Sequence, residues 1–550
     1  MLYFDALPID RKNILWHNGL VELASKMLKQ KRKFDMSKKP NILHIFTDQQ
    51  RFDTIGATGN PIIKTPNLDR LCENGVVFTN AYSPSPVCVS ARCSMIFGQY
   101  PMNTGCYENT LMPTDDRQSF MSALTEAGYR THGIGKCHFT PDTFALRGLQ
   151  SRERQEEGGA NDLERNPYFK AIFDAGYKHI CEAYGIRGEM YYVPQPSQLP
   201  PELHPTQWVG NRSMAFIKEQ SSDQPWYLFS SFIHPHPPFT PPNPWHKLYR
   251  SALMPLPNVP DDVESLQTYV NKCQNRYKYR DQGIDKNLLR CIKANYYACI
   301  SFIDFQIGRI LEILESTGQL QNTLILVTSD HGEHLGDYNC FGKRSMHDSC
   351  ARIPFIVSMA DRFDGGKVCD TPVSLVDVAP TFLGAAGTFL KSHQPDGADV
   401  FNVLKGASDR KMVFSQHSYS RGNPISNAVP QEYRDDQDLW RSAMSQYMAV
   451  SKEWKYFYSA PDNQEFLFDK IRDPHETRNK AGIVFCQKTL IEMRKVLFEH
   501  LRQGGEIRGI DGDQWKKFPK PEFPYDPDTG LLIQDGYTPW TDTFIPSYSD

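Results

Sequence analysis

The sequence predicts an α/β protein with a large, mostly parallel β-sheet and a smaller, antiparallel sheet near its C-terminus. Up to about residue 410, short apolar runs alternate with longer segments of helical period, which is typical of parallel strands joined by helices. Beyond that point the pattern changes to short strand-like segments. A chain of 550 residues is long enough for one large domain and one smaller domain.

Four segments are predicted to be strands of the large sheet, and the first of them reads as a buried strand. They span residues 41–46, 130–134, 226–232 and 323–328. Segments of helical period lie around them, at residues 65–72, from about Cys88 onward, at 120–127 and at 288–315.

The C-terminal part is predicted to form a separate α+β subdomain. Strand-like segments cover residues 412–416, 447–450, 455–459 and 465–468, and residues 484–502 have the period of a helix that packs on them. From Phe518 onward the chain is rich in Pro and aromatic residues without periodicity, so we expect this tail to wrap over the surface. The predicted organisation is an N-terminal extension (1–36), a main domain (37–410) and a C-terminal subdomain with its tail (411–550).

Composition and charge are those of a soluble globular protein. Hydrophobic residues make up 40% and charged residues 23% of the chain, and the formal net charge is −3, so no overall field points to nucleic acid or an anionic membrane. No segment resembles a signal peptide or a membrane span, and the 13 cysteines are irregularly spaced, which indicates reduced thiols. We therefore expect a cytoplasmic protein with no nucleic-acid or membrane partner.

Polar residues follow two of the predicted strands directly. Asp48 and Gln49 come after the first strand, and Asp330 and His331 come after the fourth. Open α/β sheets bind their ligands beyond the carboxyl ends of the strands, so we expect these side chains to meet. Two carboxylates, an amide oxygen and an imidazole suit one divalent metal ion, Ca²⁺ foremost, with Mg²⁺ and Mn²⁺ as alternatives.

A second group of residues could hold an anion. If a helix begins at Cys88, the thiol lies at a helix N-terminus, which favours negative charge, and Arg92 lies one turn along the same face. Taken alone, this segment fits a core cysteine beside a surface arginine better. Lys136, His138 and His236 add cationic or proton-carrying groups at two more strand ends. Together the residues at the strand ends predict a concave site, lined by a metal ion and cationic side chains, that binds a small oxyanion.

Seven segments between about Pro40 and Ala481 resemble, in order, the motifs of the sulfatase family, within the alkaline-phosphatase-like superfamily. They are Thr47-Asp-Gln49, Thr65-Pro-Asn-Leu-Asp-Arg-Leu71, Cys88 to Arg92, Gly128-Tyr-Arg-Thr-His-Gly-Ile-Gly-Lys136, Pro235-His-Pro-Pro238, Ser329-Asp-His-Gly-Glu-His-Leu-Gly-Asp337 and Leu467-Phe-Asp-Lys-Ile-Arg-Asp-Pro-His-Glu-Thr477. The resemblance implies an α/β/α sandwich whose catalytic domain is the main domain, 37–410.

The resemblance implies a nucleophile and a metal site. Cys88 matches the residue that is oxidised after translation to 3-oxoalanine (formylglycine), whose hydrate, a gem-diol, attacks the ester. A formylglycine-generating maturation enzyme is then a required partner. The metal ligands would be Asp48, Gln49, Asp330 and His331, and the metal would lower the pKa of the nucleophile and neutralise developing charge.

The resemblance also implies roles for the remaining polar residues. Arg92 would hold the formylglycine hydroxyl, and Lys136 would contact both the diol and the sulfate. His138 would be the base that takes a proton from the second hydroxyl, so that sulfate leaves and the aldehyde is regenerated. His236 and Lys343 would contact the bridging oxygen and assist the leaving group.

Several positions depart from the family pattern or match it less closely. Ser90 stands where Pro or Ala is usual, which bears on recognition by the maturation enzyme, and Val89 replaces a small residue. Cys137 replaces an aromatic residue, and Gln49 stands where many sulfatases have a second Asp. Asn109 occupies a place where relatives have an amide that contacts the substrate.

Two other functions compete with hydrolysis of sulfate monoesters. A phosphonate or phosphate monoester or diester hydrolase of the same superfamily would share the formylglycine, but typically has Tyr and Thr at the positions of Lys136 and His138. A non-catalytic anion-binding relative would be expected to have lost ligands, whereas here every catalytic position is filled. Aryl, carbohydrate and choline sulfates all remain open as substrates, and a homo-oligomer is compatible with the sequence.

Overall fold

The computed structural model describes residues 39–157, 163–186, 191–272, 285–360, 365–419, 433 and 435–521. The predicted N-terminal extension lies outside the described residues, and only the first four residues of the predicted tail, 518–521, lie inside them. The described elements all belong to the compact unit that begins at Pro40.

The large sheet has eight strands in the order β5-β4-β6-β1-β7-β8-β2-β9. Only β8 runs antiparallel to its neighbours, and the other pairings are parallel. The strands are β1 (Asn41–Asp48), β2 (Gly75–Phe78), β4 (Arg130–Gly135), β5 (Ser151–Arg154), β6 (Trp226–Pro235), β7 (Thr323–Ser329), β8 (Phe355–Ser358) and β9 (Lys367–Cys369), while β3 (Ala81–Tyr82) pairs separately with β10 (Val373–Ser374).

Helices cover both faces of this sheet. In the described residues the α-helices are α1 (Pro66–Glu73), α2 (Cys88–Phe97), α3 (Pro101–Thr104), α4 (Phe120–Glu126), α5 (Pro167–Asp174), α6 (Pro205–Lys218), α7 (Val263–Leu266), α8 (Lys286–Ser316), α9 (Asp348–Ala351), α10 (Val378–Ala386), α11 (Val400–Leu404), α12 (Gln437–Ala443) and α13 (Gln487–Gln503). Single 3-10 turns lie at Gly56–Thr58, Pro201–Leu203, Trp245–Lys247, Ser251–Leu253, Leu320–Asn322, Asp337–Asn339, Leu375–Asp377 and Val484–Cys486.

Alternation along β1 divides the hydrophobic core into two layers. Ile42 and Phe46 pack into a cluster with residues of α2, α4 and α10, whereas Leu43 and Ile45 pack into another with residues of α1, α6 and α8. Successive side chains of a strand point to opposite faces, so a central parallel strand that is buried on both sides reads as one continuous apolar run. The predicted α/β/α sandwich is therefore confirmed.

The topology brings the predicted strand ends together. Strands β4, β6, β1 and β7 are consecutive in the sheet and parallel, so their carboxyl ends meet at one edge. These are the four strands predicted from the sequence, and each extends the predicted range by one to three residues. The edge thus collects the residues that come after each of them.

The smaller sheet is antiparallel, as predicted, with strands β11 (Val413–Ser418), β12 (Ser445–Val450), β13 (Trp454–Ser459) and β14 (Gln464–Asp469) in that order. Helix α13 covers one face through Leu490 and Leu497. The other face packs against residues of the main domain, among them Tyr82 and Met346. A final hairpin joins β15 (Ile510–Asp511) to β16 (Gln514–Trp515). The predicted boundary at about residue 410 remains a prediction.

Two sequence-based expectations concern membrane spans and the cysteines. No helix among the described residues is long and apolar enough to span a membrane. The cysteines in the described part of the chain form no disulfide.

A buried ion cluster joins the small sheet to the main domain. The Lys455 ammonium of β13, fully buried, lies 2.7 Å from Asp348 Oδ1 at the start of α9 and also contacts the Glu476 carboxylate. Glu476 in turn accepts a hydrogen bond of 2.8 Å from the Asp348 backbone N–H. Removal of one member of such a cluster leaves a buried charge without its counter-ion, which is strongly unfavourable.

We expect Lys455→Met to lower the free energy of unfolding by about 3–5 kcal/mol, because Glu476 stays buried without the ammonium while Asp348 keeps the guanidinium of Arg352, 3.3 Å away. Methionine retains most of the side-chain volume, so the effect reports charge rather than a cavity. Urea unfolding followed by circular dichroism measures it. Lys452→Met is the control, since that lysine pairs with Asp370 at 2.6 Å on the surface with both side chains more than half exposed. Equal unfolding midpoints for the two variants would contradict the expectation.

Candidate active site

The carboxyl edge of the large sheet delivers most of the predicted site residues. Asp48 ends β1 and Asp330 directly follows β7, and both are completely buried. Lys136 comes directly after Gly135, the last residue of β4, which has a φ of 92°. A Cβ on Gly135 would collide with the backbone oxygen of Ser231 in β6, so the strand can place Lys136 here only with glycine before it.

Cys88 begins helix α2, and its thiol lies at the centre of the predicted site. The preceding Val87 is extended, so the helix starts abruptly at the cysteine. The sulfur lies 3.3 Å from His331 Nε2 and 3.8 Å from Asp48 Oδ1, and Lys343 Nζ lies 2.8 Å away. The side chains of His138 and His236 also interact with it. Cys88 Sγ is thus enclosed by cationic and proton-carrying side chains.

Arg92 holds the two carboxylates together. One helical turn after Cys88, its guanidinium donates from Nε to Asp330 Oδ2 and from Nη2 to Asp48 Oδ2, both at 3.0 Å. The side chain is fully buried, and its guanidinium carbon lies 4.8 Å from the centre of the Phe46 ring. Because one buried guanidinium donates to both carboxylates, it fixes the spacing between Asp48, at the end of β1, and Asp330, just after β7.

The ligand atoms of Asp48, Cys88, Asp330 and His331 all lie within 4.8 Å of one another, and all four residues are buried. The Asp330 Oδ1 atom accepts hydrogen bonds of 3.0 Å from the backbone N–H groups of Gln49 and His331. Burial and the nearby Asp48 carboxylate raise the pKa of Asp330 to about 6. A cation between two buried carboxylates would relieve this repulsion, so the donor set fits a divalent metal.

Gln49 is oriented by a residue that the sequence analysis did not single out. Glu333 is completely buried and accepts hydrogen bonds from Gln49 Nε2, from Tyr192 OH at 3.1 Å and from Leu335 N at 3.1 Å. Because Nε2 is engaged, the Gln49 Oε1 atom is the one that faces Lys343 Nζ, at 3.2 Å. The only sequence signal was a further acid two residues after His331.

Cations surround the thiol from two sides. Lys136 Nζ lies 2.8 Å from Asp48 Oδ2 and 2.7 Å from Glu157 Oε1, and Lys343 Nζ contacts the sulfur directly. Burial alone would raise the pKa of the Cys88 thiol, but the charges of Lys343, Lys136 and His331 outweigh it and hold that pKa well below its usual value. The position therefore stabilises negative charge, as an oxyanion site requires.

The two histidines are held by their surroundings in different ways. His236 Nδ1 lies 2.8 Å from the backbone oxygen of Pro237, which only accepts, so Nδ1 carries the proton and Nε2 is the acceptor. Burial, Lys343 and Lys136 lower the pKa of His236, which favours this neutral form. His138 has a φ of 54°, and its buried Nδ1 has no hydrogen-bond partner among the described residues. The two histidines thus differ in how their ring nitrogens are engaged.

Asn109 lies beside the start of α2. Its Oδ1 accepts a hydrogen bond of 3.0 Å from the backbone N–H of Val89, one of the donors that a helix N-terminus leaves unsatisfied. Ser90, the departure from the usual motif, is buried and donates to the backbone oxygen of Cys106 at 2.5 Å. The predicted site residues therefore all gather around Cys88, with Asn109 supporting the helix that carries it.

Comparison with known proteins supports the same family across most of the chain. The Sulfatase family profile matches residues 40–388, and the profile of the N-sulphoglucosamine sulphohydrolase C-terminal region matches residues 336–503. An arylsulfatase of Clostridium perfringens is 30% identical over 507 residues, which cover 87% of this chain and 98% of that protein.

Two further similar proteins carry other descriptions. The multifunctional alkaline phosphatase superfamily protein PehA of Trinickia caryophylli is 29% identical over 81% of this chain and 91% of its own length. The structure of a phosphonate monoester hydrolase from Silicibacter pomeroyi superposes with a TM-score of 0.72 at 23% identity, over 88% of this chain and all of that one. At this identity the superposition shows the fold. With the match over residues 40–388 and the arylsulfatase similarity, the chain belongs to the sulfatase family of the alkaline-phosphatase-like superfamily and is a sulfuric ester hydrolase.

Proposed function

We propose that this enzyme hydrolyses sulfate monoesters of small molecules or carbohydrates to an alcohol and inorganic sulfate, with a formylglycine made from Cys88 as its nucleophile. The observation that carries the proposal is the environment of Cys88 Sγ, which lies within 4 Å of Lys343 Nζ, His331 Nε2 and Asp48 Oδ1 at the start of a helix. A nucleophile at this position therefore lies beside cationic groups that can bind an oxyanion.

The chemistry favours the oxidised residue over the thiol. Attack by a thiolate on sulfate would leave a thiosulfate-like adduct with no easy exit. A hydrated formylglycine offers two hydroxyls, one to bond to sulfur as the ester oxygen leaves and one to give up its proton so that sulfate is eliminated. The His138 side chain interacts with residue 88 and would be the base that takes that proton.

The cations act on the charge that develops during the reaction. Lys136 approaches residue 88 from the side of β4 and would bind a sulfate oxygen, while Lys343 Nζ, 2.8 Å from Sγ, would stabilise the negative charge on the leaving oxygen. His236 lies beside both lysines and would contact the same bridging oxygen. Arg92 keeps Asp48 and Asp330 in place.

Asp48, Gln49, Asp330 and His331 would hold one divalent metal ion, with Ca²⁺ as the best fit to three oxygen donors and an imidazole, and with Mg²⁺ and Mn²⁺ as alternatives. When bound, such an ion supplies positive charge that polarises the sulfate and lowers the pKa of the nucleophile.

A maturation enzyme must reach Cys88 to oxidise it, and Cys88 is buried in the folded chain. Cys88 is 1% exposed and Arg92 is completely buried, so a maturation enzyme would have to meet this segment before folding is complete. The proposal therefore includes a maturation enzyme that acts on the nascent chain in the cytoplasm, the location expected from the sequence.

The alternative is a phosphonate or phosphate ester hydrolase of the same superfamily, which fits the phosphonate monoester hydrolases among the structural neighbours. Lys136 and His138 favour sulfate, because those hydrolases typically have Tyr and Thr at the two positions. A non-catalytic anion-binding protein is the least supported alternative, since every catalytic position is filled.

Replacement of the nucleophile by serine tests the two-hydroxyl mechanism. We expect Cys88→Ser to lose multiple turnover, because serine has one hydroxyl and no elimination route, and to accumulate a sulfate ester on residue 88. Mass spectrometry of the peptide that contains residue 88 and steady-state rates with an aryl sulfate measure both. Wild-type protein whose Cys88 is shown by mass to be unmodified is the control. Turnover by that thiol form at the rate of the oxidised form would refute the mechanism.

The reaction type is tested by a ranking of substrates on one preparation. With Lys136 and His138 in place, we expect a higher kcat/KM for an aryl sulfate than for the matching aryl phosphonate or phosphate diester. All three should share a leaving group, so that the ratio reports the transferred group alone. The reverse order would make the phosphonate or phosphate ester hydrolase the better description.

The metal site is tested through the residue behind Gln49. We expect Glu333→Ala to weaken Ca²⁺ binding by about 10–100-fold, because the Gln49 amide loses the acceptor that turns its oxygen toward the site. Calorimetric titration of the dialysed protein with Ca²⁺ measures the change. Glu153→Ala is the control, since that carboxylate pairs with Arg212 on the surface. An unchanged affinity in Glu333→Ala would remove Gln49 from the ligand set.

A further inference from the structure

We infer that Glu157 makes the site selective for singly charged esters over doubly charged ones, an inference that rests on the proposed function. The carboxylate lies three residues after the end of β5, and its Oε1 lies 2.7 Å from Lys136 Nζ. The same oxygen lies 3.8 Å from His236 Nδ1. Glu157 thus contacts two of the groups proposed to bind the sulfate ester.

Glu157 differs in exposure from the groups it contacts. The side chains of Lys136 and His236 are 0% and 1% exposed, whereas that of Glu157 is 21% exposed. It is therefore the member of this contact that an incoming ligand meets from the solvent side. Its carboxylate is not among the clustered ligand atoms of Asp48, Cys88, Asp330 and His331 in the described part of the chain, so it is set apart from the proposed metal ligands.

The carboxylate changes the sum of charges around residue 88. Among the described side chains in mutual contact there, the cations are Arg92, Lys136 and Lys343, and the carboxylates proposed as metal ligands are Asp48 and Asp330. These five side chains sum to one positive charge, to which the proposed divalent metal would add two. Glu157 lowers the total by one, and it does so at Lys136, the lysine proposed to bind a sulfate oxygen.

The consequence depends on the charge of the substrate. A sulfate monoester carries one negative charge, whereas a phosphate monoester near neutral pH carries between about 1.5 and 2, because its second pKa is about 6. Repulsion by a fixed carboxylate grows in proportion to that charge. Glu157 therefore disfavours a phosphate monoester more than a sulfate ester of the same shape, while a phosphate diester, with one charge, is treated like the sulfate.

The inference is tested with Glu157→Gln, which keeps the shape and removes the charge. Glu153→Gln is the matched control, because Glu153 also has a side chain that is 21% exposed and pairs with Arg212 outside the site. Both are compared with wild type, each with residue 88 matured and verified by mass. Inhibition constants are measured for phenyl phosphate, the doubly charged probe, and for methyl phenyl phosphate, the singly charged probe, against turnover of an aryl sulfate.

We expect Glu157→Gln to bind phenyl phosphate about tenfold more tightly than wild type, after allowance for solvent screening of a partly exposed charge. Because the repulsion scales with charge, the inhibition constant of methyl phenyl phosphate should change by only about threefold, and Glu153→Gln should match wild type for both probes. Near pH 5, where phenyl phosphate is singly charged, the difference between Glu157→Gln and wild type should fall to the same value of about threefold.

Equal changes for the two probes would overturn the inference, since they would make Glu157 a purely structural support of Lys136. So would a difference that persists unchanged near pH 5. If the enzyme fails to turn over sulfate esters at all, the same inhibition constants are measured against phosphate diester turnover. Failure of the proposed function is then seen in the substrate, and failure of this inference is seen in the ratio of the two probes.

Discussion

The buried contact of Arg92 with Asp48 and Asp330 is the interaction on which the rest of the site depends. Two carboxylates at the ends of adjacent parallel strands, both completely buried, cannot stay ionised together without compensating charge. The guanidinium supplies one positive charge and donates to each carboxylate at 3.0 Å. Arg92 lies one turn after Cys88 in α2. The same contact therefore holds the start of that helix, and with it Cys88, beside the two carboxylates.

Most of the fold could be predicted from the sequence because its central strands are apolar on both faces. The segments that form β1, β6 and β7 are short, mainly apolar runs with polar residues at their ends, whereas Ile134 is the only strongly apolar residue of β4. The reversed direction of β8 could not be predicted. Its four residues, Phe355–Ser358, are buried and carry no periodic signal, and strand direction depends on the path of the chain before them.

The residues of the candidate site also fall into those that could be predicted from the sequence and those that could not. Residues at strand ends could be predicted because topology alone brings parallel strand ends together, and the family resemblance supplied Lys343 and Asn109. Glu333 and Glu157 could not be found in this way, since their roles depend on which side-chain atoms they contact. Glu333 accepts from the Gln49 amide, and Glu157 from Lys136, over sequence separations of 284 and 21 residues. Neither pairing leaves a pattern in a single sequence.

Gln49 stands where many sulfatases have a second Asp, and the Glu333 carboxylate that contacts it supplies a negative charge close by. An amide donor leaves the proposed metal site one negative charge poorer than a carboxylate would. Glu333, fully buried, accepts from the amide nitrogen of Gln49, from the Tyr192 hydroxyl and from two backbone N–H groups. A carboxylate that accepts from Nε2 polarises the amide and increases the negative charge on Oε1, the atom proposed to bind the metal. The negative charge that the Gln49 amide lacks is thus carried by Glu333, which contacts that amide. There it strengthens the Gln49 oxygen as a ligand, and Arg92 still has only the carboxylates of Asp48 and Asp330 to bind.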